Sequence, residues 1–154
     1  MSEKWYKLKD LATKSFKTVP TNSGVYYLRR SKDDKPVYVA RLQGLDNEGI
    51  LYIGSARDLK NRIRKLWRAI NGKVNAHTIG KTIKFCGVDE IISLEDYEIK
   101  WTKSANGKEI FDEWKAINSY AMKFKEPPPL NLGLRREMFG LWGLGVWDKS
   151  KWTD

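Results

Sequence analysis

Two short apolar runs, each with a tyrosine near its centre, limit the folds that this chain can adopt. The first is GVYYL at 24–28 and the second is ILYIGS at 50–55. Both are rich in β-branched and aromatic residues, and the turn sequences SKDDK at 31–35 and GLDNEG at 44–49 lie between them, so we expect two strands of a β-meander. PVYVARLQ at 36–43 has a similar composition and predicts another strand of this meander.

After the second tyrosine run, apolar residues recur at the spacing of a helix. This helix begins after Asp58, a residue suited to the N-cap position, and the sequence NGK ends it. The same spacing predicts three further helices, over 5–17, about 76–87 and about 108–125, while residues 96–103 alternate as a half-buried strand does. The apolar stripe of the helix after Asp58 consists of Leu59, Ile63, Leu66, Trp67 and Ile70.

These elements together predict an α/β chain of the α+β kind, in which helices flank a small central, mainly antiparallel sheet of three or more strands. At 154 residues, 41% of them apolar, the chain can form one core, so we expect a single domain over 1–154. The tail 134–154 holds three of the seven tryptophans, and we expect it to pack against the domain. The last helix carries a stripe of Ile110, Trp114, Ile117, Ala121 and Phe124.

The charge balance favours a polyanionic partner. Lysine and arginine number 29 against 19 acidic residues, which gives a net charge of +10 and a pI of about 9.6. The chain shows neither a signal peptide nor an apolar run of about 20 residues, so we expect a soluble, cytoplasmic protein without a membrane partner. The single cysteine, Cys86, stands in the apolar sequence IKFCGV, which predicts a buried, inert thiol in a reducing compartment.

An ordered set of residues resembles the GIY-YIG nuclease family. The set consists of GVY at 24–26, LYIG at 51–54, an arginine eight residues after that glycine, a glutamate on the last helix and the asparagine of PPLN. The resemblance covers about 18–133, and the step of 26 residues from Tyr26 to Tyr52 is similar to that of members with a long insertion, including restriction-type ones. Each tripeptide alone is a weak signal, whereas the ordered set is specific.

The resemblance implies a GIY-YIG nuclease-like fold and a metal-dependent endonuclease that hydrolyses DNA phosphodiester bonds. It implies one divalent ion, Mg²⁺ or Mn²⁺, and a DNA partner that is double-stranded or branched. Such hydrolysis needs an activated water in line with the leaving oxygen, a cation that holds the phosphate, and stabilisation of the leaving group.

Two tyrosines compete for places in the motif. Tyr38 also fits the second half by its spacing, but Ala40 stands where glycine is expected and Glu48 stands where the arginine is expected. Tyr26 and Tyr27 are neighbours on one strand and therefore point to opposite faces, so only one of them can face the site. The family register selects Tyr26.

The resemblance assigns a role to each site residue. Tyr26 activates or orients the attacking water, Tyr52 forms hydrogen bonds in the same pocket, Arg62 holds the scissile phosphate and Glu113 binds the metal. A free tyrosine, with a pKa near 10, is a poor base, so its surroundings must lower that pKa or share the proton. His77 either orients the substrate or relays the proton, or is a solvent-facing residue at a helix start. The residues expected to bind substrate are Arg57, Lys60, Arg64, Lys65 and Asn131.

Helix geometry gives partial support for these roles. Arg62 lies at the border of its apolar stripe, where an arginine can also lie along the surface without a function. Glu113 lies near the apolar face of its helix, where a carboxylate needs a partner or a metal ion. Glu109, one turn earlier, is the alternative metal ligand and is expected farther toward solvent. Leu66 departs from the family, because many members have histidine or tyrosine at that position.

Two other classes of function fit the same residues. One is a catalytically weak nucleic-acid-binding module on the same scaffold, which the departure at Leu66 and the long interval from Glu113 to Asn131 favour. The other is a protein-interaction domain that uses the tryptophan-rich tail as its contact surface. The sequence does not select a restriction, repair or mobile-element role, nor an oligomeric state.

Overall fold

A computed structural model describes residues 4–132 of the chain. It shows an α+β architecture, an antiparallel sheet with four helices over these residues. In chain order the elements are β1 Tyr6–Lys7, α1 Leu8–Thr13, β2 Gly24–Lys32, β3 Lys35–Pro36, β4 Val39–Ala40, β5 Leu45–Asp46, β6 Ile50–Ala56, α2 Leu59–Ile70, α3 Thr78–Phe85, β7 Tyr97–Lys103 and α4 Glu109–Phe124. The tail 134–154, predicted to pack, lies outside the described residues.

The first tyrosine run forms the centre of the sheet. Strand β2 pairs antiparallel with β6, the second tyrosine run, on one side and with β7 on the other. The short strand β1 extends the sheet beyond β7, and β3 forms a hairpin with the end of β2. The predicted turn between β2 and β3 is confirmed, because Asp33 and Asp34 both have positive φ angles, 51° and 59°.

The predicted strand over 36–43 is wrong in its extent. Only the two-residue pieces β3 and β4 form there, and β4 pairs with β5 as a separate hairpin. Buried Asp46 fixes the segment between β3 and β6. Its carboxylate accepts hydrogen bonds from the backbone of Glu48 and Ile50 and from the Tyr120 hydroxyl. Tyr38, in the same segment, is 56% exposed, so its side chain is not part of the core.

The first helix is shorter than predicted. Residues 5–17 were expected to be helical, but Tyr6 pairs with Ile99 of β7 and its ring stacks on Trp101 with centroids 4.9 Å apart. Helix α1 begins only at Leu8. It ends before Ser15 and Phe16, which both have positive φ and therefore interrupt the helix.

The helix after the second tyrosine run is confirmed. Asp58 is its N-cap and accepts a hydrogen bond from the backbone N–H of Asn61 (2.9 Å). The predicted apolar stripe is buried apart from Trp67, which is half-buried. Helix α2 thus packs its apolar side against the face of the sheet that carries Tyr26 and Leu28.

The pleat of β2 divides the interior into two clusters. Tyr26 and Leu28 belong to the larger cluster with α2 and α3, whereas Val25 and Tyr27 lie on the opposite face with α4. The prediction that Tyr26 and Tyr27 point to opposite faces is confirmed. Helices α2 and α4 therefore lie on different sides of the sheet.

The predicted stripe of α4 is wrong at its first turn. Ile117, Ala121 and Phe124 are buried, but Ile110 is 51% exposed. Glu109 takes the inward position in its place, because the first turn of the helix faces the polar loop after β6 rather than the apolar face of the sheet.

The expectation of a buried cysteine is also wrong. Cys86 is exposed, because α3 ends at Phe85 and Gly87, with a φ of 68°, turns the chain away. No helix within 4–132 combines the length and the apolar character required to cross a membrane.

Candidate functional site

The pairing of β2 with β6 places Tyr26 directly opposite Gly54. The Tyr26 side chain is 0% exposed, and its ring lies over this glycine. A Cβ atom at position 54 would stand 2.5 Å from the Tyr26 hydroxyl oxygen and 2.8 Å from a ring carbon of Tyr52. Glycine is therefore the residue that allows both phenol rings to approach the strand.

Three rings surround this point. The centroids of Tyr26 and Tyr52 are 6.1 Å apart, and the His77 ring lies 6.3 Å from Tyr26 and 5.9 Å from Tyr52. Both contacts of His77 are edge-on, which is a favourable arrangement for aromatic rings. Residues from β2, β6 and the start of α3 thus meet in one pocket.

His77 is held in one tautomer by the backbone. It is the N-cap of α3, and its Nδ1 accepts a hydrogen bond from the N–H of Ile79 (3.1 Å). The neutral ring must then carry its proton on Nε2, which donates to the Tyr26 hydroxyl oxygen at 2.7 Å. The alternative of a solvent-facing histidine is wrong, because the residue is only 3% exposed.

His77 remains neutral at physiological pH. Burial, with a smaller contribution from the positive charge of Arg62, lowers its pKa to about 3. In the free protein this histidine is therefore a fixed hydrogen-bond donor to Tyr26 and not an acid–base group.

Both phenols are neutral in the free protein. Burial, followed by the neighbouring Tyr52, raises the pKa of Tyr26 well above its usual value, although Arg62 opposes this shift. Burial, followed by Glu113, raises the pKa of Tyr52, and Thr78 and Arg62 oppose it. Of the two conditions expected for the tyrosine, a lowered pKa is not met.

Arg62 is the cation of the pocket. It is half-buried on α2, at the predicted border of the apolar stripe. Its Nε atom is buried and has no hydrogen-bond partner among the described residues. The guanidinium acts to lower the pKa of Tyr26 through its charge and a side-chain hydrogen bond, and its charge also acts on Glu113.

Glu113 approaches the pocket from the other side of the sheet. Its Oε2 accepts a hydrogen bond from the hydroxyl of Ser55, at the end of β6. Burial raises the pKa of this carboxyl group, while Ser55 and Arg62 act in the opposite direction. Ser55 is a site residue that the sequence interpretation missed, although its position directly after the YIG triplet points to it.

Glu113 is the carboxylate of this pocket that could hold a metal ion. Within the described part of the chain, no group of three or more histidine, cysteine, aspartate or glutamate side chains could hold a metal ion. Mg²⁺ is suited to such a place, because it usually keeps several waters and binds one or two carboxylates together with substrate phosphates. Glu113 beside Ser55 fits an ion of that kind.

Glu109 does not lie toward solvent as expected. It is 3% exposed, its Oε1 lies 3.6 Å from the Nε of Arg57, and its buried Oε2 has no hydrogen-bond partner among residues 4–132. The Arg57 side chain itself is 91% exposed. Glu109 therefore holds the base of the loop between β6 and α2, and Arg57 extends from it into solvent.

The remaining predicted substrate residues are distributed around α2 and the edge of β6. Arg64 is exposed and lies over the Phe16 ring, Lys65 is exposed, and Lys60 is half-buried. Asn131 is buried, and both ends of its amide bind the backbone of Ile53, at 3.0 and 2.9 Å. Asn131 therefore satisfies backbone groups at the edge of β6 that does not pair with β2, and its amide is not directed at a substrate.

Leu66, for which the sequence predicted a place on the apolar stripe of α2, contributes no polar group to the pocket. Leu66 is fully buried in the cluster between α2 and the sheet, so its side chain packs in the core. Thr78, at the first turn of α3, acts to lower the pKa of Tyr52 through a side-chain hydrogen bond. The sequence interpretation missed Thr78, for which the only signal is its place directly after His77.

Comparisons with protein families, with curated proteins and with solved structures find no match to this chain.

The neutral state of His77 makes the fold sensitive to acid. Because its pKa is about 3 in the fold and about 6.5 in the unfolded chain, the unfolded chain binds the proton first as pH falls below about 6.5. We expect this residue to lower the free energy of unfolding by up to about 1.4 kcal/mol per pH unit in that range. Urea unfolding between pH 7.5 and 5 measures it.

The variant His77→Asn is the control, because asparagine is a good N-cap residue but does not titrate. We expect the wild type to lose about 1–2 kcal/mol more than this variant between pH 7 and pH 5. If the free energy of unfolding fell equally with pH in the two proteins, His77 would be protonated in the fold over the same pH range as in the unfolded chain.

Proposed function

We propose that this protein is a GIY-YIG-type endonuclease that uses one divalent metal ion to hydrolyse DNA phosphodiester bonds. The observation that carries the proposal is the convergence of Tyr26, Tyr52, Arg62, His77 and Glu113, which come from five separate elements or turns, around Gly54. These residues are far apart in the chain, and the sheet register and the packing of α2, α3 and α4 bring them together. Their functional types match the needs of phosphodiester hydrolysis.

Arg62 binds the scissile phosphate. Its forked donors suit a phosphate, and the half-buried side chain lies beside Tyr26 and Glu113. Charge builds up on the phosphate during hydrolysis, so a fixed guanidinium stabilises the transition state more than the ground state.

Glu113 holds the metal ion, Mg²⁺ or Mn²⁺. When bound, such an ion neutralises charge on the phosphate and on the leaving oxygen. The Ser55 hydroxyl fixes one carboxylate oxygen and leaves the other to a cation. Burial raises the pKa of Glu113 and so disfavours its charge, and a divalent cation held there would supply the missing stabilisation.

Tyr26 orients the attacking water. The Nε2–H of His77 donates to its oxygen, and Arg62 and Tyr52 are the other polar neighbours of this hydroxyl. Since the phenol is neutral in the free protein, it acts first as a hydrogen-bonding group. Any transfer of a proton from water to Tyr26 requires the phenol to ionise first, which Arg62 favours and burial opposes.

A binding module without catalysis is the second candidate. Complete burial of Tyr26, with its raised pKa, favours this candidate, because a buried neutral phenol is a poor base. The two candidates differ in their response to metal, since only a nuclease cuts DNA when Mg²⁺ is added.

The proposal is tested on supercoiled plasmid with Mg²⁺ and with EDTA. We expect wild-type protein to cut only with Mg²⁺, and Arg62→Ala to lose at least about a hundredfold in rate, because removal of one fixed charge-stabilising donor typically has this effect. Thermal unfolding is the control, and the midpoint of the variant should stay close to that of the wild type. Loss of cutting together with a large drop in Tm would assign Arg62 a structural role.

The tyrosines give a matched set of variants. Tyr26→Phe and Tyr52→Phe should each lower the rate about a hundredfold, the usual scale for a positioned proton-transfer group. Tyr38→Phe removes the same atom from an exposed residue outside the site and should leave the rate unchanged. The rates are compared on one DNA substrate at one salt concentration. A damaging Tyr38→Phe with a silent Tyr52→Phe would overturn the motif register.

Glu113→Gln tests the metal ligand. The change keeps the size of the side chain and removes its charge, so Mg²⁺-dependent cutting should be lost while DNA binding persists or tightens. Because the raised pKa means that the buried charge disfavours the fold above that pKa, the variant should also unfold at a higher temperature at pH 8.

Glu109→Gln is the control one turn away. Its partner is Arg57 rather than a pocket residue, so we expect cutting within about tenfold of the wild type. An active Glu113→Gln beside an inactive Glu109→Gln would move the metal ligand to Glu109. Two active variants would exclude a mechanism that depends on one glutamate.

A further inference from the structure

A basic groove lies beside the candidate site, between the end of α2 and the turn that precedes α3. It has a volume of about 590 Å³, and its polar side chains are Lys65, Arg68, Lys73 and Asn75. None of its lining residues, all within the described part of the chain, is acidic. We call this the α2 groove.

The cations of the α2 groove form no ion pair with any acidic residue in the described part of the chain. Within 4–132, no ion pair involves Lys65, Arg68 or Lys73, although other lysines such as Lys9 and Lys84 are paired. Three positive charges around one groove repel one another, and this repulsion is relieved when an anion enters. The groove therefore favours a ligand with several negative charges.

Local structure fixes the third cation beside the other two. Gly72 has a φ of 102°, which turns the chain sharply after α2. The N–H of Lys73 then donates to the carbonyl of Arg68 at 2.8 Å. A Cβ atom on Gly80 would stand 2.4 Å from the carbonyl oxygen of Val74, so this glycine allows the turn to lie against α3. The groove is built by the fold and is not a chance cluster of side chains.

Each wall of the groove is continuous in the chain with a residue of the candidate site. Arg62, Lys65 and Arg68 follow one another at three-residue intervals on one ridge of α2, which spans about 9 Å. The opposite wall is the turn over 74–76, which continues directly into His77. One strand of duplex DNA carries a charge about every 3.4 Å along its axis, so this ridge extends over two or three phosphates.

We propose that the α2 groove binds the DNA phosphates that flank the bond to be cut. This inference rests on the proposed function and adds a binding site to it. The contacts are made to the backbone by lysine and arginine, so they position the duplex in the site and carry no sequence information.

The test is a titration of a fluorescent duplex DNA without Mg²⁺ over a series of salt concentrations. The triple variant Lys65→Gln, Arg68→Gln, Lys73→Gln removes three phosphate contacts. Each contact contributes about 0.9 to the slope of log K against log salt, so the slope should fall in magnitude by about 2.7. The control is the triple variant Lys115→Gln, Lys123→Gln, Lys125→Gln, with the same change of charge on and just after α4, across the sheet, and its slope should be unchanged.

A gain of charge gives an independent measurement. Asn75→Lys adds a cation to the groove and should increase the slope by about 0.9 and tighten binding, whereas Ser119→Lys on α4 should leave the slope unchanged. Equal losses in the two triple variants, or no loss in the groove variant, would overturn the α2 groove as the binding site. If wild-type protein still cuts plasmid in that case, the nuclease proposal stands; wild-type protein that neither binds nor cuts DNA would reject both.

Discussion

The pairing of β2 with β6 is the constraint on which the candidate site depends. Its register sets Tyr26 opposite Gly54, and the absence of a side chain at that glycine lets two phenol rings occupy one pocket. A shift by one residue would turn Tyr26 to the face of α4 and bring Tyr27 to the face of α2. The apolar residues of both strands hold the register, since each face of β2 packs on its own cluster.

Desolvation governs the chemistry of the pocket. It keeps Tyr26, Tyr52 and His77 neutral, so the hydrogen bonds among them are fixed in direction before any ligand arrives. The two charged groups, Arg62 and Glu113, enter from α2 and α4, which lie on different sides of the sheet. The pocket therefore combines one cationic and one anionic side chain with neutral polar rings.

Helix α2 connects this pocket to the outer surface. Its inner face packs in the core through residues such as Ile63 and Leu66, and its border carries Arg62. The next cations on the same ridge, Lys65 and Arg68, belong to the α2 groove. One helix thus links the core, the candidate site and the proposed DNA-binding surface. The apolar spacing that buries one side of α2 also fixes the directions in which its other sides point.

The sequence by itself determined the strands around Tyr26 and Tyr52 and the helix after Asp58, because local spacing and capping are properties of neighbouring residues. Contacts between distant segments decided the rest. The stacking of a tyrosine on β7 shortened the first helix, and a polar loop drew Glu109 inward. Only the tertiary structure brought His77 to Tyr26, since the direction of a turn and the burial of a ring depend on what packs around them.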